Sequence, residues 1–326
     1  MRALSTRFMS QFLPQQRLRF VRRFMLTGLL AGTMASAAQA DNLNLLTQRQ
    51  FIHSANKTCN WLSGPEALAL GGGLIQMRNA ALMSGQSPQH IHTAINRARQ
   101  AATRVDCHNP ALLSEVDTVK GAYRGFVTQN RLNFHGPRAS WLTDRTEAET
   151  QKWRLVQYHK TGNIRLAFGL YGHTDRHALS VMAQFPEAKR PYSARLMVRD
   201  PKYGPASLLS TAPLGLSTKH PVNLTRYDRS FPANGRHQMN VVLEDSPRVN
   251  LAGFNITGEY KGRPDPRPTV RFDFPIEATT ALARLDPREE IIVVFEFTDG
   301  PQYARFEAGD FVPGLVFATL PSPYGR

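Results

Sequence analysis

Two short motifs contain the residue types of serine acyl-transfer chemistry. Ser54-Ala55-Asn56-Lys57 places a lysine three residues after a serine, and Lys160-Thr161-Gly162 adds a second lysine later in the chain. In enzymes of this kind the serine attacks a carbonyl carbon and the lysine helps to remove its proton. The third element of the pattern, Ser-x-Asn or Tyr-x-Asn, is missing between the two motifs. We therefore assign no catalytic residue, and the sequence favours a protein that is not an enzyme.

The histidines form two dense clusters, and imidazole is a common ligand of zinc and other transition ions. His90 and His92 lie on an expected helix, where residues two apart point to different faces. His173, Asp175 and His177 lie in an expected strand connection, where a loop can bring two imidazoles and a carboxylate together. These three are the metal-ligand candidates, but chance spacing explains the pattern better. We expect no metal and no cofactor.

A long segment without periodicity carries the clearest local excess of positive charge. Residues 199–238 include five prolines, six lysines and arginines, and two aspartates. We take Lys202, Arg226, Arg229 and Arg236 as candidate binding residues, because a cationic surface attracts phosphate and carboxylate groups and loses affinity as salt is added. A solvated loop that binds nothing is the alternative.

Residues 1–40 have the pattern of a cleaved export signal. A basic stretch at 17–23 precedes an apolar stretch at 24–34, and Ala38-Gln39-Ala40 places small residues at signal-peptidase spacing. The apolar stretch is shorter than the roughly 20 residues of a bilayer span. Arg22-Arg23 also fits the twin-arginine pattern, so the general secretory and twin-arginine routes both stay open. We expect a bacterial periplasmic or secreted protein that does not span the membrane after cleavage.

Cleavage after Ala40 also changes the net charge of the chain. The export that it implies bears on whether the two cysteines are oxidised. The whole chain carries +15, whereas residues 41–326 carry 34 Lys and Arg against 25 Asp and Glu, a net charge of +9. That charge is spread over both halves, so we expect no nucleic-acid partner. Cys59 and Cys107 are the only cysteines, and in an oxidising compartment an isolated pair predicts a disulfide.

Apolar residues between 44 and 130 recur at steps of three and four, which predicts helices. Four such stripes are separated by short breaks, and Pro65, Pro88 and Pro110 stand where a first helical turn tolerates proline. Short connections predict an antiparallel bundle. Gly71-Gly72-Gly73 inside the second helix predicts close approach of another helix; a phosphate-binding loop is the alternative, but no strand precedes it and no Gly-Lys-Ser/Thr follows.

Beyond Trp153 the apolar residues alternate with other residues, which predicts half-buried strands. The alternation runs through residues 164–170, 179–185, 192–198, 270–276 and 291–297, and the only helix expected among them is at 279–285. The fold class is α+β with two domains, a disulfide-linked helical bundle followed by an antiparallel sandwich-like domain. The boundaries are 1–40 export signal, 41–132 bundle, 133–152 linker, 153–320 β domain and 321–326 tail.

The leading functional hypothesis is a non-catalytic binding or envelope-interaction protein that uses the basic loop of the β domain. Its partner would be an anionic envelope lipid or glycan, or another envelope protein. One alternative is a periplasmic hydrolase with a site between the domains, and another is a structural scaffold. The sequence does not choose among ligands or fix the oligomeric state.

Overall fold

A computed structural model describes residues 34–147, 151–173, 175–185, 189–200, 212–219, 229–239, 243 and 269–321; of residues 34–41 it describes only the helical backbone. In this part of the chain there are six helices and two antiparallel sheets, so the α+β class is confirmed. The export signal lies mostly outside the described residues, as do Lys202, Arg226 and the tail beyond Pro321.

Four consecutive helices form the first half, as predicted: α1 Met34–Cys59, α2 Gly64–Met83, α3 Pro88–Ala102 and α4 Pro110–Val127. The starts of α3 and α4 are capped by short polar side chains. The Ser87 hydroxyl accepts from the His90 N–H at 3.1 Å, and the Asn109 side-chain Oδ1 accepts from the Ala111 N–H at 2.9 Å. Such caps satisfy backbone donors that a helix start otherwise leaves free.

The predicted disulfide is present in the helical half. It joins Cys59 at the end of α1 to Cys107 in the α3–α4 connection, with Cα atoms 5.4 Å apart. The Trp61 indole N–H donates to the Cys107 carbonyl at 3.2 Å beside it. The bond therefore fixes the end of the first helix to the connection between the third and fourth.

The larger sheet has seven antiparallel strands in the order β1-β2-β3-β4-β5-β10-β9. Their bounds are β1 Arg131–His135, β2 Ser140–Asp144, β3 Lys152–Thr161, β4 Ile164–Gly172, β5 His177–Gln184, β9 Gly235–Met239 and β10 Thr269–Phe274. The predicted hairpin at Lys160–Asn163 is the β3–β4 turn, where Gly162 has a φ of +57°.

The smaller sheet has five antiparallel strands in the order β7-β12-β11-β6-β8. Their bounds are β6 Ser193–Val198, β7 Gly215–Ser217, β8 Arg229–Pro232, β11 Glu290–Glu296 and β12 Gln302–Glu307. Side chains of β4, such as Phe168, and of β11, such as Phe295, belong to one buried cluster. The two sheets therefore share a hydrophobic core.

Two parts of the β region differ from the prediction. Much of the segment 133–152 belongs to the sheet, because β1 and β2 pair there and Trp141 is fully buried with its indole N–H donating to the Ala308 carbonyl at 2.9 Å. This segment is therefore not a linker. The segment 199–238 holds β7, β8 and all but the last residue of β9, so Arg229 and Arg236 lie on strands, not on a loop. The division of the chain into domains stays a prediction.

Two short helices complete the described chain. Helix α5 Ile276–Leu282 begins three residues before the predicted candidate, and α6 Phe311–Thr319 was not predicted. Helix α6 contacts α2 on one side and strands β1, β2 and β3 on another. A Cβ placed on Gly72 would lie 2.8 Å from the Val316 side chain, so the predicted close helix approach at the triple glycine is confirmed.

Candidate functional site

The described candidate arginines lie on two successive strands, Arg229 at the start of β8 in the smaller sheet and Arg236 on β9 in the larger sheet. Strand β8 is the last strand of the five-stranded sheet and β9 the last of the seven-stranded sheet. Between them, Ala233 N–H donates to the Ala194 carbonyl and Asn234 N–H to the Asp273 carbonyl, both at 2.9 Å. The chain thus crosses between the sheets while it stays bonded to each.

Arg229 and Arg236 sit at the margin of the shared core. The Arg229 guanidinium carbon is 5.5 Å from the centroid of the Phe231 ring, which packs against the core. Arg236 stands opposite the buried Phe272 in the β9–β10 register, and its Nε–H donates to the Pro191 carbonyl at 3.3 Å. Both side chains are therefore held by strand positions, and Arg236 is exposed while Arg229 is half-buried.

Two further side chains flank Pro191, whose carbonyl Arg236 contacts, whereas Arg229 pairs with Val198 at the other end of β6. Arg190 is exposed, and Tyr192 is 61% exposed directly after Pro191. We name Arg190, Tyr192, Arg229 and Arg236 the basic edge. Among the described residues none of its three arginines forms an ion pair with an acidic side chain.

Nearby cations differ from those of the basic edge because they are paired. Lys189 Nζ lies 2.6 Å from Asp299, and an Arg195 guanidinium nitrogen lies 3.2 Å from Glu296. Within the described residues of this region, the positive charge without an acidic partner thus belongs to the basic edge. A guanidinium presents several fixed N–H donors that fit a carboxylate or phosphate, so the arrangement suits an anionic ligand.

A serine, a histidine and an aspartate also meet next to β9. The Ser180 hydroxyl donates to Asp273 Oδ1 at 2.6 Å, and His237 Nε2 lies 3.0 Å from Asp273 Oδ2. Arg271 Nε lies 3.0 Å from Asp273 Oδ1. The carboxylate stands between serine and histidine, so the imidazole is not placed to take the serine proton as nucleophilic catalysis requires. These contacts join β9 and β10 to β5.

The metal candidates lie in the turn between β4 and β5 and, for His177, at the first residue of β5. The His173 N–H donates to the Arg176 carbonyl at 2.7 Å, and the Asp175 side chain is 78% exposed and 3.9 Å from Arg176 Nε. No group of three or more His, Cys, Asp or Glu side chains able to hold a metal ion is found within the described ranges, His173, Asp175 and His177 included.

A pair of buried carboxylates lies where α6 begins, and sequence reasoning did not single it out. Glu307 is 2% exposed and Asp310 is 3% exposed. Glu307 Oε2 accepts from the N–H groups of Arg138 and Ala139 at 3.0 and 2.9 Å, and Asp310 Oδ1 accepts from Asn79 Nδ2 at 2.9 Å. Burial raises the pKa of both, that of Asp310 to about 6. A signal was present, since an aspartate directly before an apolar run is typical of a helix start.

Comparisons with protein-family models, with curated proteins and with solved structures each find no match for this chain. No helix in the described part of the chain combines the length and the hydrophobicity of a bilayer-spanning segment. The functional interpretation therefore depends on the geometry of the chain itself.

Proposed function

We propose that this chain is an exported, non-catalytic binding protein that holds anionic envelope material on the basic edge. The ligand groups are phosphates or carboxylates, as carried by acidic phospholipids and acidic glycans. The observation that carries the proposal is the set of three arginines on β8, on β9 and before β6 that have no acidic partner among the described residues. Arg236 is bonded to the Pro191 carbonyl next to the exposed Tyr192.

Strand positions support binding because they hold the guanidinium groups in place before a ligand arrives. The contacts of Arg229 with Phe231 and of Arg236 with Pro191 limit the side-chain freedom that binding would otherwise remove. Binding at an exposed cationic surface depends on charge, so it weakens as salt screens that charge. Lys202 and Arg226 are part of the same hypothesis but lie outside the described residues.

Export through a signal cleaved after Ala40 belongs to the same proposal. The Cys59–Cys107 disulfide supports it, since such bonds persist in oxidising compartments and are rare in the cytosol of most organisms. Helix α1 begins at Met34, so this cleavage would shorten the helix from its N-terminal end.

We favour binding over hydrolysis because of where the perturbed carboxylates lie. Raised pKa values at Glu307 and Asp310 are the kind of signal that marks catalytic acids. Both side chains are nearly inaccessible to solvent, and each accepts hydrogen bonds from the chain itself. A substrate would have to separate α2 from α6 to reach Asp310.

The test is retention of purified protein on anionic surfaces after charge reversal of Arg229 and Arg236. Vesicles with phosphatidylglycerol and beads with an acidic polysaccharide separate the two ligand sources, and phosphatidylcholine vesicles give the background. We expect R229E/R236E to be retained about tenfold less at low salt, about 1.4 kcal/mol of binding free energy, and wild-type retention to fall as salt rises. K202E/R226E extends the test to the other two candidates.

The matched control is R97E/R104E, which makes the same charge change at exposed positions of the helical half. It should bind like the wild type. Equal retention of R229E/R236E and wild type on both anionic surfaces, or equal loss in R97E/R104E, would overturn the proposal.

A further inference from the structure

The described contact between the helical half and α6 is apolar apart from the polar groups around Asp310. Gly72 of α2 admits Val316 of α6, and Phe126 of α4 stacks edge-to-face on Phe317 with ring centroids 5.0 Å apart. Asn79 of α2 faces Asp310, the residue that precedes α6. We name these contacts the α2–α6 junction. A carboxylate at such a place is costly when ionised, because burial removes the water that would stabilise its charge.

The groups that bind the Asp310 carboxylate are neutral. Asn79 Nδ2 donates to Asp310 Oδ1 at 2.9 Å, and the Gln76 side chain also hydrogen-bonds the carboxylate. Asn79 Nδ2 lies 3.4 Å from the Gly309 carbonyl as well. Amide donors ease the desolvation of a carboxylate but do not neutralise it. The hydrogen bonds therefore lower the pKa less than burial raises it, and the pKa lies at about 6.

Charged side chains on the elements around Asp310 are engaged with other groups. The Arg78 charge on α2 acts on Asp286, Arg288 Nε lies 2.8 Å from Asp286, and Glu289 is paired with Arg199 at 2.6 Å. On the other side, Arg138 donates its N–H to Glu307, whose own pKa is raised further by the Asp310 charge. Helix α6 has no charged residue in its sequence.

We propose that the α2–α6 junction is a pH-responsive contact: protonation of Asp310 strengthens the packing of α6 on α2, and ionisation loosens it. A protonated carboxyl group still accepts from Asn79 but no longer places a charge in a site shielded from water. The ligand-binding proposal is not needed for this inference, because the basic edge shares no residue with the junction.

The direction of the pH effect follows from the two states of the carboxyl group. It titrates near 3.8 in the unfolded chain and at about 6 in the folded chain. The Asp310 contribution to stability is therefore fully present below pH 3.8 and is lost as the pH rises through about 6. His159 acts in the opposite direction, because burial lowers its pKa to about 4 and its protonation favours the unfolded chain below about 6.5. A variant must therefore be compared with the wild type at each pH.

The experiment measures chemical unfolding and amide hydrogen exchange of the full chain at pH 4.5 and pH 7.5 for the wild type and Asp310→Asn. The amide of D310N is neutral at both values and keeps an acceptor for Asn79. Relative to D310N, the wild-type unfolding constant should rise about 25-fold between the two pH values, because the carboxyl group titrates near 3.8 in the unfolded chain and at about 6 in the folded chain. After correction for intrinsic rates, the pH-dependent exchange of the wild type should concentrate in residues 64–83 and 311–319.

Asn79→Asp gives a second measurement that does not depend on D310N folding. It places two carboxyl groups face to face, so its stability should approach the wild-type value at pH 4.5 and fall well below it at pH 7.5. The control is Asp117→Asn, because Asp117 is an exposed carboxylate on α4. The proposal is overturned if N79D loses no more stability than D117N at pH 7.5. Equal pH dependence of wild type and D310N, or exchange that changes evenly along the chain, overturns it as well.

Discussion

Glu290 joins two arginines at the start of β11 and is 4% exposed. Its Oε1 accepts from Arg138 Nη2 at 3.0 Å, and its Oε2 accepts from Arg305 Nη1 at 2.9 Å. Arg138 lies in the β1–β2 turn and Arg305 on β12, so one carboxylate connects three parts of the chain. Removal of a buried charge is costly chiefly because its partners remain buried.

Glu290→Ala should lower the free energy of unfolding by about 3 kcal/mol, because the shared carboxylate of Arg138 and Arg305 disappears. The control is Glu147→Ala, which removes an exposed carboxylate and should change the free energy by about 0.5 kcal/mol or less. Denaturant titration of both variants at pH 7 and moderate salt measures the difference. A loss in E290A no larger than that in E147A would show that the pairing does not stabilise the fold.

Single residues could be selected from the sequence by charge but not by contact. Arg229 and Arg236 stood out because few acids lie near them in the chain, and the structure gives each a strand position. Asp310 did not stand out, because its partner Asn79 is 231 residues away. A hydrogen bond across such a separation leaves no periodic pattern, so the raised pKa of Asp310 could be found only in the folded chain.

At the scale of elements, the three glycines of α2 have unequal roles. A Cβ on Gly72 would lie 2.8 Å from the Val316 Cγ1 atom, whereas a Cβ on Gly73 would meet nothing within 4 Å. Glycine inside a helix costs about 1 kcal/mol relative to alanine. Gly72 therefore lowers the helix propensity of α2 but allows α6 to pack closely against it.

Gly72→Ala and Gly73→Ala should change stability in opposite directions. G73A should stabilise the protein by up to about 1 kcal/mol through helix propensity. G72A should destabilise it by roughly 1–2 kcal/mol, because overpacking against Val316 outweighs the same gain. Thermal or denaturant unfolding of the two variants checks this, and equal stabilisation by both would mean that α6 does not pack on α2 as described.

Elements with strong local signals were predictable, and those defined by tertiary contacts were not. Helices α1 to α4 have apolar stripes, and a proline stands in the first turn after each of the three breaks between them. Helix α6 is apolar on all sides and contains Pro313 and Gly314, so it shows no amphipathic stripe; burial on several sides explains this composition. The β1–β2 hairpin was missed because mixed charge and Gly136-Pro137 resemble a connection.

At the scale of the whole molecule, the two halves meet through α6 and the basic edge lies elsewhere. The edge is built from the crossing between two sheets that share one core, whereas the α2–α6 junction is built from helices. Because the two regions use different elements, ligand binding and the pH response can be tested separately. The fold class was accessible from the change of period near Trp153, but the positions of these two regions required the strand order.

The central claim is that the basic edge is the place where the protein binds anionic material. Hydrogen–deuterium exchange of the full chain with and without phosphatidylglycerol vesicles, and with and without the acidic polysaccharide, locates the contact most directly. With the retained ligand, exchange should slow at residues 189–200 and 229–239 and stay unchanged at 88–102. Protection confined to the helical half, or none near Arg229 and Arg236 while the protein is bound, would contradict the account.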